Sequence, residues 1–293
     1  FYRSDAYMRD PWSDGALSGI DADAPVLIIG CGLTMIDVAV SLAHSGHRGA
    51  ITAVSRRGLV GQPNAPRSTA AWTIEYTALP KTMRALVRKV RDEVARAAAQ
   101  GVDWRSVVDS LRPHSQRLWR ELPPEEQRRF LRHVRAYWEI HRSRTAPINM
   151  GDIDAMRSSG RLSVRAGRIQ GFRRDGRVVS VTLLPRGRSS VETVQVERVI
   201  NATGPEGDFR RIGSSLVDGL LSEGWVRPGP YGFGFDATPD GVLLDAKGAP
   251  SPFLYSLGPP LRGVLWETLA APEIREHAGA IARSILGMGV ADG

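Results

Sequence analysis

The sequence predicts an α/β protein: a parallel sheet crossed by a helix, interrupted by an all-helical stretch and followed by a second strand-and-helix region. Three observations predict it. An apolar run breaks at a glycine turn into a helical pattern, VLIIGCGLTMIDVAVSLAHSG (26–46), and a β-branched run, AITAVS (50–55), follows at once. A long tract at 80–146 then has helical composition, and from 161 the pattern changes to alternating strands punctuated by glycine.

Taken in order, residues 26–29 read as a short buried strand. Residues 33–45 read as a helix, because Met35, Ile36, Val38, Ala39, Leu42 and Ala43 recur at helical spacing before Gly46 ends it. Strand, helix and strand fit within about thirty residues, so the connection is a right-handed βαβ crossover in a parallel sheet. A Pro- and Gly-rich loop, RRGLVGQPNAPRS, leads into KTMRALVRKVRDEVARAAAQG and PPEEQRRFLRHVRAYWEIHRSR. The second of these starts with prolines and acids, as helix N-termini prefer. RRDGR marks a hairpin turn, VETVQVERVINATG (191–204) ends in a buried strand, PFLYSLG (252–258) is a further strand, and a last helix covers about 271–287.

With 293 residues, 42% of them apolar, the chain can bury one large or two modest cores. It shows no apolar run of transmembrane length, and the polar, acidic first residues do not read as a signal peptide, so no membrane partner and a cytoplasmic location are expected. Cys31 is the only cysteine, which excludes an internal disulfide and a cysteine-cluster metal site. The net charge of +8 is concentrated in residues 81–145, where sixteen Lys/Arg face eight Asp/Glu. Acids are interspersed there and aromatics sit at helix-packing spacings, so the tract reads as solvated helix faces rather than a nucleic-acid surface.

The glycine turn carries the chemistry. Gly30 permits a tight turn after the strand, and Gly32 lets backbone N–H groups approach a pyrophosphate at the positive end of the following helix. Thr34 adds a hydroxyl for a phosphate oxygen or for a helix cap. Met35 stands where a third glycine would serve helix–strand packing, and Asp37 reads as electrostatic support in the helix. At the end of the second strand the chain reads Val54-Ser55-Arg56-Arg57-Gly58. There is no acid to hold a ribose 2′-hydroxyl, and two guanidinium groups are placed to pair with a 2′-phosphate, so the expected coenzyme is NADP. There is no Gly-x-Ser-x-Gly elbow and no His-Glu-x-x-His spacing, and no catalytic residue or metal ligand is assigned. His133, His141 and Arg142 are candidates only for facing a substrate.

GCGLTMIDVA resembles the NADPH loop of flavin-containing monooxygenases and related two-dinucleotide-fold flavoproteins, and VINATGP (199–205) is similar to the segment where such proteins pass between their two domains. VLIIGCGLTMIDVAVSLAHSGHRGAITAVSRRG, RFLRHVRAYWEIHRSRTAP and YSLGPPLRGVLWETLAAPEIREHA together resemble a group of bacterial FAD/NAD(P)-binding proteins over almost the whole chain. The resemblance implies a Rossmann-like two-dinucleotide-binding flavoprotein fold, with an NAD(P) domain inserted into a split flavin domain. Thr203 and Gly204 then border the flavin at the domain crossing, as do Gly258 and Arg262 after the late strand.

The expected organisation is a linker at 1–24, an NAD(P)-binding domain at 25–195 carrying the helical insertion 80–146, and the C-terminal part of an FAD-binding domain at 196–293. No FAD fingerprint precedes residue 26, so the chain is expected to be the C-terminal portion of a longer protein. The expected function is an FAD-dependent, NADPH-linked oxidoreductase, with monooxygenation within its range and an unidentified small-molecule substrate. A dinucleotide sensor without turnover, and an interaction module built on the Arg-rich helices, are the alternatives.

Overall fold

In the computed structural model, residues 1–65 and 69–287 are described; the last three residues of the expected loop at 56–68 lie outside them, and the last helix, expected to 287, ends at Ile285. In chain order the first elements are β1 (Tyr7–Met8), β2 (Val26–Ile29), α1 (Leu33–His44) and β3 (Ile51–Ser55). The helical tract contains α2 (Met83–Ala99), α3 (Trp104–Ser110), α4 (Ser115–Glu121), α5 (Pro124–Arg129), a π-helical turn (Phe130–Val134), α6 (Arg135–Arg142) and α7 (Pro147–Ser158). Then come β4 (Leu162–Asp175), β5 (Val178–Pro185), β6 (Glu192–Val196) and β7 (Arg198–Asn201). The chain continues through α8 (Ser215–Ser222), β8 (Val242–Leu244), β9 (Pro250–Tyr255), α9 (Arg262–Leu265) and α10 (Ala271–Ile285).

Seven strands form one sheet in the order β1-β7-β2-β3-β4-β5-β6. The first five positions pair in parallel and the last two steps are antiparallel. Parallel strands must be apolar on both faces. β2 and its neighbours obey this: Val26, Ile28, Ile51, Ala53 and Ile200 pack under α1 and α7, while Leu27, Val54 and Val199 face the other side, against Val179, Val181, Leu183 and Val196. α1 forms because its buried residues, Met35, Ile36, Val38, Ala39, Val40 and Leu42, make one apolar face. Each of the large ones contributes about 2 kcal/mol by leaving water. The helix stops at Gly46, whose φ of +88° lets its N–H reach Ala43 O at 3.1 Å and that of His47 reach Leu42 O at 3.0 Å.

Two compact units result. The first contains 1–72, 96–109 and 130–204; the second contains 73–95, 110–129 and 205–293. Three features differ from the sequence expectation. Tyr7–Met8, expected as linker, is a strand beside β7, anchored by the fully buried Ala6. β7 pairs with β2 through Leu27↔Val199 and Ile28↔Ile200, so the first unit runs to Gly204 rather than 195. The helical tract is shared between the units rather than inserted in one. In the second unit, Val217, Val226, Phe235, Leu243, Leu261 and Leu265 form the core. No helix among the described residues is long and apolar enough to cross a membrane.

Candidate functional site

β2 lies between β7 and β3, and α1 carries the chain from β2 to β3, so the end of β2 is where the sheet order turns outward in both directions. Ligands of open parallel sheets bind at such points. Gly30 opens the turn with φ +116°, its N–H donating to Val54 O at 2.8 Å. A side chain there would overlap the carbonyl of Ala202, so the fold itself requires this glycine. Gly32 is different. It is exposed, has an ordinary φ of −82°, and a Cβ on it would meet nothing within 4 Å. It is the N-cap of α1, where no side chain hydrogen-bonds the first turn. The backbone N–H groups and the positive helix end are therefore left for something outside the chain. Thr34 is half-buried in that first turn and does not cap it.

Cys31 between the glycines is buried, and burial pushes its thiol up, opposed by the Ser55 hydroxyl. Met35, at the third-glycine position, is fully buried among the residues joining α1 to the sheet, so its thioether fills the space that a glycine would close. Asp37 is half-buried one turn into α1, and desolvation raises its carboxyl.

At the end of β3, Ser55 Oγ accepts the Gly58 N–H at 2.9 Å, folding the segment back on itself. Gly58 takes φ +61°, and a Cβ there would lie 3.1 Å from Ala166 N on β4. Arg56 is exposed and makes no hydrogen bond or ion pair among the described residues. Arg57 is held: its Nη2 donates to Arg132 O at 3.0 Å, and its guanidinium sits 5.5 Å from the centre of the Tyr137 ring. Nothing in the sequence around Arg57 signals these partners, since they lie 75 and 80 residues away. His141 contacts the Tyr137 carbonyl at 2.7 Å through Nδ1 and the Trp104 ring edge-on, which is a packing role.

At the end of β7, the Thr203 hydroxyl donates to Asn201 Oδ1 at 2.8 Å, and the Asn201 amide donates to Arg9 O at 3.1 Å. A Cβ on Gly30 would lie 3.2 Å from Thr203 N, so Thr203 stands beside the glycine turn, with Gly204 (φ +84°) next. Gly258 and Arg262 belong to the second unit. Gly258 is buried with φ +76°, and the Arg262 guanidinium lies 4.6 Å over Trp266 and 5.7 Å from Phe233. Trp266 itself has φ +64°, ψ −66°, closed by a hydrogen bond from Glu267 N to Leu265 O at 2.8 Å. This is a γ-turn of the rarer, strained hand, held by the Trp119 ring at 5.1 Å and by Trp119 Nε1 donating to Gly263 O at 3.0 Å. The expected loop after Gly258 thus contains a short helix, α9, and this turn, and the helix expected from about 271 is α10. Thr268, which sequence reasoning missed, is 3% exposed, and its hydroxyl is an orphan among the described residues.

A parallel sheet with a glycine turn at its switch point, followed by a second unit with a late strand and glycine, is an arrangement shared with solved structures. No protein-family model matches the sequence, and no curated protein does. Solved structures do. L-lysine 6-monooxygenase from Pseudomonas syringae superposes with a TM-score of 0.55 at 13% identity, covering 97% of this chain and 58% of that one. The ornithine N-hydroxylase of Kutzneria sp. 744, solved with reduced FAD, NADP+ and L-ornithine, gives 0.54 at 15%, covering 97% and 60%. Reduced ornithine hydroxylase from Pseudomonas aeruginosa gives 0.58 at 14%, covering 98% and 59%. These matches show the fold, and the chain spans about 60% of the length of those proteins.

Proposed function

We propose that this chain belongs to an FAD-dependent, NADPH-linked oxidoreductase and that its first unit holds the NADPH. The observation that carries the reading is Gly32: the fold gives no steric reason for glycine there beyond the mild preference of an N-cap, whereas a pyrophosphate against the α1 N-terminus does. In this reading Gly30, Gly32 and Thr34 hold the pyrophosphate, Ser55, Arg56 and Arg57 hold the ribose 2′-phosphate, and Thr203 and Gly204 wall the turn on its β7 side. In the second unit the orphaned Thr268 hydroxyl beside Gly258, and the stacked Arg262, suit the polar edge of a flavin.

NADPH and FAD supply hydride donation and acceptance when bound. The chain's own work is recognition. The α1 terminus offsets pyrophosphate charge, the missing carboxylate after β3 removes the partner that a free 2′-hydroxyl would need, and the guanidinium groups supply charge that only a 2′-phosphate uses fully. The likeness to the lysine monooxygenase and the ornithine hydroxylases supports monooxygenation as the reaction and a small molecule as the substrate.

The test is anaerobic mixing of the FAD-loaded protein with NADPH and, separately, NADH. Rapid loss of the flavin's visible absorption with NADPH alone, abolished by Arg56→Ala combined with Arg57→Ala, supports the reading. Flavin that binds but is reduced by neither nucleotide overturns it and leaves a nucleotide sensor in its place.

A further inference from the structure

Arg57 is a coenzyme-facing candidate that the helical tract already grips, and both grips come from the same short stretch. The carbonyl of Arg132 lies within the π-helical turn Phe130–Val134, and Tyr137 lies on the first turn of α6. A π-helical turn loosens the regular i→i−4 ladder, which leaves carbonyls available to partners outside the helix. Arg132 O accepts from Arg57 Nη2 at 3.0 Å. Tyr137 is 44% exposed, too open for a core role, and its ring is placed against the guanidinium. A guanidinium carries five N–H donors in a fixed plane, and Arg57 gives Nη2 to Arg132 while one face lies toward the ring.

We propose that Tyr137 and the π-helical turn are positioning elements of the 2′-phosphate subsite: they fix the Arg57 plane so that its remaining N–H groups are presented to a phosphate. Coenzyme preference is then set by residues in the helical tract as well as by the β3 loop. The proposal rests on the NADPH reading of the first unit. Its physical basis is preorganisation: an exposed arginine must lose rotamer freedom on binding, and one already clamped has lost it. A neutral ring braces the guanidinium without satisfying its charge, so the clamp does not compete with the phosphate as a carboxylate would.

The test is calorimetric titration of the 293-residue chain with adenosine 2′,5′-bisphosphate and with 5′-AMP, which differ only in the 2′-phosphate. The wild type is expected to prefer the bisphosphate. Tyr137→Leu should weaken the bisphosphate about fivefold, the scale of an exposed cation–π contact, and leave 5′-AMP unchanged. Tyr137→Phe, which keeps the ring, should bind as the wild type. In an Arg57→Ala background Tyr137→Leu should add nothing, because the two act as one group. A wild-type preference that survives Tyr137→Leu intact, an equal loss for both ligands, or additive effects would each overturn the inference while leaving the NADPH reading standing. A wild type that does not distinguish the two ligands overturns both.

Discussion

At the level of single residues, the two glycines of the turn are chemically identical and physically unlike. Gly30 sits at φ +116° with the Ala202 carbonyl where its side chain would be, so Gly30→Ala should cost on the order of 3 kcal/mol, seen as a large fall in the urea midpoint. Gly32 has ordinary backbone angles and open space, so Gly32→Ala should cost about 1 kcal/mol or less, the usual difference at an N-cap, yet weaken NADPH about tenfold by crowding the helix end. Equal destabilisation by the two, or unchanged NADPH affinity in the second, would show that Gly32 is not a ligand position. Cys31 between them offers an independent probe. Its thiol is 3% exposed and pushed up by burial, so it should react with a disulfide reagent far more slowly in the native than in the urea-unfolded chain, and more slowly again with NADPH present. The turn at Gly30 was legible in the sequence because backbone freedom is carried by residue type. Tyr137 and Thr268 were not. What sets them apart is respectively a ring beside Arg57 and a buried hydroxyl without a partner, and neither condition leaves a local trace.

Among elements, β2, α1 and β3 emerge close to the expected limits, because one apolar stripe and one glycine stop define each of them. The helices of the tract were legible as helices but not in their partners. α2 shows why. It has no acid in its own first turn, and the N–H of Met83 is taken instead by Glu126 Oε2 at 2.7 Å, from α5, with Arg129 on the other oxygen. Glu126 is 4% exposed. A carboxylate at a helix N-terminus is favoured by the helix charge, and removing it strands a buried donor. Glu126→Ala should therefore cost about 2 to 3 kcal/mol and Glu126→Gln about 1, with accelerated amide exchange in the first turn of α2 reporting that the loss is local. Unchanged exchange there would mean that the cap is not what holds the helix start. The strained turn at Trp266 is a further element no pattern announces, because tryptophan is not a residue that positive φ selects. The packing of Trp119 and Arg262 against its ring, and the Trp119 bond to Gly263, hold it there.

For the whole molecule, the sequence supported a simple ordering of domains along the chain, and the structure interleaves them. Arg112 binds Glu273 at 2.7 Å, Gln116 donates to Glu267 O at 2.6 Å and Trp119 reaches Gly263, all across more than 140 residues of sequence. Such pairings are invisible to periodicity, which reports a helix's apolar face and not what covers it. Part of the basic character of the tract is answered internally: Arg117–Glu121, Arg135–Glu139, Arg144–Asp109 and Lys89–Glu93 are ion pairs at 2.6–2.9 Å. The response to acid follows from which groups are held charged or neutral. Glu121, between Lys81, Tyr76 and Arg117, is pulled down to about 2, so its contribution is present across the neutral range and is lost only in strong acid. His277 is set the other way. Burial on α10 lowers its ring below the ordinary histidine value, opposed by the backbone of Pro239 and Asp240 and by the Asp240 and Glu276 carboxylates. Above the ordinary value both folded and unfolded rings are neutral, and nothing changes with pH. As pH falls through it, the unfolded chain takes up the proton first, so stability declines until the lowered folded value is reached and then levels off. Thermal unfolding of the wild type should thus move to lower temperature between pH 7 and pH 5, beyond what Glu121 can account for. His277→Gln, which cannot take up a proton in this range, should flatten the profile across that window. If the substitution leaves the slope unchanged, the acid sensitivity lies in groups other than this half-buried ring.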